Sequence, residues 1–105
     1  MKEITVLELK KMQDEQQDFQ LIDVREPYEY DIANIGAELI PMAEVMSNID
    51  RISKEKKVII HCRSGGRSGA IVQALEVQHG FTNLYNLKGG ILAYANEIDT
   101  SLTKY

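Results

Sequence analysis

Short apolar runs alternate with amphipathic segments along the whole chain. The runs at residues 19–24, 39–40, 57–61 and 83–87 contain few polar positions, which is typical of the buried strands of a parallel sheet. In the segments between these runs, apolar residues recur every three or four positions, which predicts helices. The pattern therefore predicts an α/β fold in which one parallel sheet is covered by helices on both faces.

Local signals place the ends of several predicted helices. Thr5 and Glu8 have the spacing of a capping box, which predicts a helix start. Pro27 suits the first turn of a second helix that runs through Tyr28 to Ile32, and Gly36 breaks the helical pattern after it. Gly80 suits the end of a later helix. Helical spacing then predicts core positions on the inner faces of these helices and of a further helical segment after residue 41. The predicted core positions include Val6, Leu9, Met12, Met42 and Met46.

Composition and charge limit the classes of function. A chain of 105 residues with 44% hydrophobic and 27% charged side chains is typical of one globular domain, which we expect to span residues 1–105. The formal net charge of −4 argues against a basic surface for nucleic acid or for an anionic membrane. The apolar runs are too short to span a bilayer, and residues 1–5 lack the apolar core of a signal peptide.

Cys62 is the only cysteine of the chain. A single thiol cannot form an intramolecular disulfide, and neither histidine has a metal-ligand spacing to it, so we expect no metal or organic cofactor. This cysteine usage predicts a reducing compartment, the cytoplasm. His61 precedes Cys62 on a predicted strand, where alternation points the two side chains to opposite faces. We therefore expect a core histidine with satisfied hydrogen bonds and no catalytic Cys–His pair.

Cys62 lies where the predicted strand 57–61 ends and the next helix begins. Backbone N–H groups and the positive end of a helix dipole favour a thiolate over a thiol at such a position. Glycines in the same stretch let the backbone fold around whatever the sulfur carries. We therefore predict a site for an anionic group bonded to the sulfur. The predicted site comprises Cys62, Arg63, Ser64, Gly65, Gly66, Arg67 and Ser68.

Residues 62–68, together with residues 21–30 and 86–90, resemble a single-domain rhodanese. The resemblance covers nearly the whole chain and implies a three-layer sandwich with a five-stranded parallel sheet and helices on both faces. It also implies sulfurtransferase activity through a persulfide on Cys62, with a supporting Asp-x-Arg element at Asp23 and Arg25. The segment that ends at Ala37 departs from the family pattern, because it is one residue shorter and lacks a histidine.

The chemistry of the predicted site can be written without a cofactor. A Cys62 thiolate attacks the outer sulfur of a donor such as thiosulfate, sulfite leaves, and a persulfide remains. Converging backbone N–H groups of the loop stabilise the negative charge of its terminal sulfur. An acceptor thiol, cyanide or a sulfur-relay protein then takes the sulfur.

Two other functions remain open from the sequence. Cysteine phosphatases and arsenate reductase-like enzymes also place a strand, a cysteine, an anion-binding loop, an arginine and a helix in this order. Their signature puts five residues between the cysteine and the arginine, whereas four separate Cys62 from Arg67. The shorter loop favours a single sulfur atom over a tetrahedral phosphate. The second alternative is a non-catalytic rhodanese-like binding module in which Cys62 is idle.

The charged and polar neighbours of Cys62 receive individual interpretations. Asp23 and Arg25 are interpreted as a structural ion pair or loop brace and not as acid–base catalysts. Arg63 either binds the sulfonate of thiosulfate or is solvated. Arg67 lies at the end of the loop, which favours anion binding over a pair with an acid. For Ser68 we expect a helix cap in preference to a hydrogen bond to the sulfur.

Overall fold

A computed structural model describes residues 1–105 and contains one five-stranded sheet. In chain order the elements are β1 (Glu3–Ile4), α1 (Val6–Asp14), β2 (Phe19–Asp23), α2 (Pro27–Ile32), β3 (Glu38–Leu39), two 3₁₀ segments (Met42–Ser47 and Ile49–Arg51), β4 (Lys57–His61), α3 (Gly66–His79), β5 (Leu84–Leu87) and α4 (Gly90–Glu97). The strands lie in the order β1-β5-β4-β2-β3, and every neighbouring pair is parallel.

The central strand β4 divides the interior into two apolar cores. Val58 and Ile60 face one core, which they share with α3 and with Val45 of the first 3₁₀ segment. Ile59 points to the opposite face and packs in a second core against α1 and Tyr94 of α4. This arrangement confirms the predicted α/β fold, a three-layer sandwich with helices on both faces of a parallel sheet.

The start of α1 follows the capping signal in the sequence. The Thr5 hydroxyl accepts a hydrogen bond from the Glu8 N–H, and the Glu8 carboxylate accepts one from the Thr5 N–H. This reciprocal pair fixes the first turn, so Val6, Leu9 and Met12 are buried as predicted. None of the helices combines the length and the apolar character that crossing a membrane requires.

The segment after β3 differs from its prediction. It forms two short 3₁₀ segments, separated at Asn48, whose backbone lies outside the helical region (φ −131°, ψ 30°). A 3₁₀ helix has three residues per turn, so Met42 and Val45 share the inner face and Met46 turns outward. The prediction of a core position is therefore wrong for Met46, which is 39% exposed.

The second helix, α2, ends at Ile32 as predicted, and Gly36 lies in the loop that follows. Ala33 has extended backbone, and the loop that follows is closed by its own hydrogen bonds. The Gly36 N–H donates to the Asn34 side chain, and the Tyr30 hydroxyl donates to the Ala37 carbonyl. The short segment up to Ala37 thus has a defined path into β3.

The carboxyl ends of β5, β4 and β2 lie side by side at the edge of the sheet that carries Cys62. The register pairs Asp23 of β2 with His61 of β4, and Ile60 of β4 with Asn86 of β5. Parallel strands bring their carboxyl ends to one edge, where ligands of open α/β sheets bind. Side chains that are far apart in sequence therefore surround the loop after β4.

Candidate active site

Cys62 follows β4 directly and precedes the first turn of α3, a helix of 14 residues. The chain reverses at Gly65, which caps the helix with a left-handed backbone (φ 111°) that glycine adopts without strain. The predicted junction of strand, cysteine and helix is confirmed. The Cys62 side chain lies at the base of this turn, and the residue is only 1% exposed.

Neutral hydrogen-bond donors converge on the Cys62 sulfur. The Gly65 N–H donates to Sγ at 3.1 Å, and the Ser68 hydroxyl lies 3.3 Å from it. Burial alone would raise the pKa of the Cys62 thiol. The hydrogen bonds from Ser68 and from the loop amides outweigh burial, and the pKa lies below its ordinary value. The site therefore favours the thiolate, which is the nucleophilic form.

Ser68 does not cap α3, so the capping expectation is wrong. The N-cap is Gly65, and Ser68 lies in the first turn with its side chain buried. Its hydroxyl has three acceptors for one proton, namely Asn86 Oδ1 at 2.5 Å, Cys62 Sγ at 3.3 Å and the Gly65 carbonyl at 3.4 Å. A negative charge on the sulfur favours rotation of the proton from the amide oxygen to Sγ.

The first turn of α4 holds the loop from the other side. The N–H groups of Ile91 and Leu92 donate to the carbonyls of Cys62 and Arg63 at 3.0 and 3.1 Å. Gly90 makes this approach possible, because a Cβ at that position would lie 2.5 Å from the Arg63 carbonyl oxygen. The loop is thus packed between two helix starts.

Asp23 and Arg25 form a fully buried ion pair at the end of β2. The Arg25 Nε and Nη2 groups donate to the Asp23 carboxylate at 2.8 to 3.1 Å, and both side chains are 0% exposed. Arg25 also donates to the Ala33 carbonyl at 2.8 Å. The pair therefore joins the end of β2 to the end of α2, which is the arrangement of a brace.

Arg67 pairs with Glu29 of α2, the arrangement that the sequence interpretation ranked below anion binding. Its two terminal nitrogens donate to the two carboxylate oxygens at 2.7 and 2.9 Å. The Arg67 guanidinium, against the effect of burial, holds the pKa of Glu29 at about 2. Both terminal nitrogens of Arg67 are thus engaged, and the pair links α3 to α2 across the loop.

Arg63 differs from the other two arginines around the loop. It forms no ion pair, and its guanidinium carbon lies 5.0 Å from the centre of the Tyr105 ring. Ser64 and Gly66 are exposed beside it. Arg63 is therefore the cation of this loop that is free to receive an anion from solvent.

His61 lies in the core and does not contact the sulfur. Its Nδ1 is 3.1 Å from the Cys62 carbonyl oxygen, whereas Nε2 has no hydrogen-bond partner and lies 3.6 Å from an Asp23 oxygen. The expectation of full hydrogen-bond satisfaction is thus wrong. Burial lowers the pKa of His61, so the imidazole is neutral at neutral pH.

Three residues of the site were missed by the sequence analysis. Glu29 and Asn86 lie inside motifs that the sequence singled out, but nothing there indicated their partners Arg67 and Ser68. Tyr105 lies far from every motif, and its hydroxyl donates to Glu29 at 2.6 Å. No three His, Cys, Asp or Glu side chains are placed to share a metal ion.

Known proteins resemble this chain in sequence and in structure. Rhodanese-like/PpiC domain-containing protein 12 of Arabidopsis thaliana is 38% identical over the full chain, which spans 38% of that protein's length. A sulfurtransferase of Allochromatium vinosum is 38% identical over 75% of this chain and 74% of its own. A rhodanese-like domain protein of Staphylococcus aureus superimposes with a TM-score of 0.83 at 34% identity, covering 93% of this chain and 95% of that one.

The family assignment rests on most of the chain and not on one motif. The family model for the rhodanese-like domain matches residues 5–97, from the cap of α1 to the last residue of α4. That range includes the Asp23–Arg25 pair, the Cys62 loop and the glycine turn before α4. The chain belongs to the rhodanese-like domain family.

Proposed function

We propose that this protein is a sulfurtransferase that carries a sulfane sulfur as a persulfide on Cys62. The observation that carries the proposal is the convergence of the Gly65 N–H and the Ser68 hydroxyl on Sγ. Such donors stabilise a negatively charged sulfur without needing a counter-ion. The relative in Allochromatium vinosum that bears the name sulfurtransferase supports the same class of reaction.

The proposed reaction has two displacement steps. The Cys62 thiolate attacks the outer sulfur of thiosulfate, the sulfur–sulfur bond of the donor breaks, and sulfite leaves with the electron pair. The product is a persulfide anion on Cys62. In the second step a thiolate or cyanide attacks the terminal sulfur, the persulfide bond breaks, and the Cys62 thiolate is restored. Neither step changes the net charge or requires an external oxidant.

The arginines have different roles in this proposal. Arg63 binds the sulfonate of the donor, because it follows Cys62 in the chain and its guanidinium has no acidic partner. Arg67 and Glu29 occupy each other and position the loop against α2. Asp23 and Arg25 brace the neighbouring strand end and contribute no proton to the reaction.

The setting of the reaction is part of the same proposal. A free thiol that must cycle between thiolate and persulfide suits a reducing cytoplasm. The donor is a small sulfane compound such as thiosulfate, and the acceptor is a thiol, cyanide or a sulfur-relay protein. No step requires a nucleic acid or a membrane.

The test compares sulfur loading with phosphate hydrolysis on the same sample. After incubation with thiosulfate, the intact mass should rise by one sulfur atom, and added cyanide should release thiocyanate. Cys62→Ser should fold normally and lose both signals. Faster hydrolysis of an aryl phosphate than sulfur transfer would replace the proposal with the phosphatase alternative. A protein that neither gains sulfur nor hydrolyses the ester would fit the binding module.

A further inference from the structure

The segment that follows α4 returns to the Cys62 loop. Ile98 and Leu102 pack against the core between α1 and α4, and Asp99 and Ser101 form a turn between them. The segment then brings the Tyr105 hydroxyl within hydrogen-bond distance of Glu29 of α2. Residues 98–105 thus connect the outer helix layer to the mouth of the loop.

The Tyr105 hydroxyl is held by two charged groups that are themselves buried. Arg25 Nη1 donates to it at 2.7 Å, and the hydroxyl donates to Glu29 Oε2 at 2.6 Å. Arg25 is 0% exposed and Glu29 is 3% exposed, so neither partner can follow a displaced ring. One donor and one acceptor at a fixed separation determine where the phenol lies and how its ring is oriented.

The face of this ring receives Arg63. The Arg63 guanidinium carbon lies 5.0 Å from the ring centre, within the range of a cation–π contact. Arg63 has no carboxylate partner to hold it, and an arginine side chain has many rotamers of similar energy. The ring is therefore the contact that restricts the guanidinium.

We propose that Tyr105 is a positioning residue that restricts the guanidinium of Arg63, the residue after Cys62, and so determines the preference of the Cys62 thiolate for anionic reagents over neutral ones. The proposal rests on the proposed function, since the anion concerned is the sulfonate of the sulfur donor. Without the ring, Arg63 samples other rotamers, and its charge no longer has one fixed position for a reagent that approaches the loop.

The experiment measures the selectivity of Cys62 with two alkylating reagents of similar shape. Iodoacetate is an anion and iodoacetamide is neutral, so the ratio of their rates reports the charge that the approaching reagent meets. Arg63→Gln should lower this ratio about threefold. Tyr105→Leu should lower it about twofold, at the lower end of a surface cation–π contact and by no more than Arg63→Gln, because the ring acts only through that arginine. Tyr105→Phe keeps the ring but loses the two hydrogen bonds that fix it, so its ratio should lie between those of the wild type and Tyr105→Leu.

A double variant tests whether Tyr105 acts through Arg63. Arg63→Gln with Tyr105→Leu should give the ratio of Arg63→Gln alone, because a ring without its arginine has nothing to position. Tyr85→Leu is the matched control: that ring carries cation–π contacts with Lys2 and Lys57. Tyr85 is partly buried against the core formed by α1 and α4, and its replacement should leave the ratio unchanged.

The outcomes separate this proposal from the sulfurtransferase proposal. A wild-type ratio in Tyr105→Leu would overturn the positioning role, since Arg63 would then hold its place without the ring. Additive losses in the double variant would overturn it as well. In sulfur transfer, Tyr105→Leu should raise the thiosulfate KM and leave kcat nearly unchanged. If the wild type transfers no sulfur but the alkylation ratios behave as stated, only the proposed function fails.

Discussion

The two sides of the Cys62 loop use opposite means to handle charge. On the sulfur side, neutral groups face Sγ, namely the Gly65 N–H and the Ser68 hydroxyl. On the α2 side, full charges face each other, because Asp23 pairs with Arg25 and Glu29 pairs with Arg67. Charged side chains therefore hold the loop in place, while backbone and hydroxyl dipoles stabilise the negative charge of the sulfur.

This separation has a physical advantage for a group that gains and loses a sulfur atom. Dipoles fixed by the helix start stabilise the thiolate and the persulfide without rearranging between the two states. A mobile cation at the sulfur would instead have to find a new position at each step. Arg63, the unpaired arginine, is then available for the leaving sulfonate.

The largest effect should come from disrupting the contact between the first turn of α4 and the Cys62 loop. Gly90→Ala places a Cβ 2.5 Å from the Arg63 carbonyl oxygen and forces a left-handed backbone (φ 59°) on alanine. We expect a loss of roughly 2–4 kcal/mol in unfolding free energy and loss of the reactive thiolate. Chemical denaturation and the rate of Cys62 alkylation measure the two effects.

Gly66→Ala is the control for that substitution. A Cβ at Gly66 meets no atom within 4 Å, and the residue lies in the first turn of α3. We expect unfolding free energy equal to or slightly above that of the wild type, because alanine favours the helix. Equal destabilisation by both substitutions would show that the close approach of α4 to the loop is not what matters.

A smaller effect should come from the charged side of the loop. Glu29→Gln removes one ion pair and should lower the unfolding free energy by about 2 kcal/mol at neutral pH, allowing for solvent at the partly exposed Arg67. The folded-state pKa of Glu29 is about 2, below its ordinary value of about 4.5. This stabilisation is therefore complete above about pH 4.5 and is lost as the pH falls towards 2.

Denaturation across that acid range tests the sign. The wild type should lose more stability than Glu29→Gln between about pH 4.5 and 2, and the two curves should approach each other at the acid end. Parallel curves would mean that Glu29 titrates alike in the folded and unfolded states. The Cys62 alkylation rate should change little, because Glu29 does not donate to Sγ.

The smallest effect on stability should come from removing a hydrogen-bond donor to the Cys62 sulfur, a change that should nevertheless alter the reactivity of the thiol. Ser68→Ala removes the hydroxyl that lies 3.3 Å from Sγ, so the pKa of Cys62 should rise. Below the wild-type midpoint, the alkylation rate should fall about tenfold, as for the loss of a hydrogen bond to a charged group. Ser64→Ala, at an exposed position, is the control. If the pH midpoint of Cys62 alkylation is unchanged in Ser68→Ala, the backbone amides alone stabilise the thiolate.

The sequence by itself determined the features that depend on local pattern. Apolar runs mark β2, β4 and β5 to within one residue at each end, because a strand buried on both faces needs continuous apolar side chains. The capping box at Thr5 and the stop at Gly80 follow from backbone chemistry within a few residues. The position of Cys62 between a strand and a helix is local in the same sense. Met46 was misplaced because residue spacing does not distinguish an α-helix from a 3₁₀ segment of three residues per turn.

Only the tertiary structure decided which polar groups meet. Arg67 reaches Glu29 across 38 positions of sequence, and Tyr105 reaches Glu29 across 76. The partner of Ser68 is Asn86 on a neighbouring strand. Such contacts depend on the order of the strands in the sheet and on where each helix lies relative to the sheet edge. A sequence pattern specifies neither. A long charged side chain pairs with whichever opposite charge the packing brings within reach, so its role follows from the fold and not from its place in a motif.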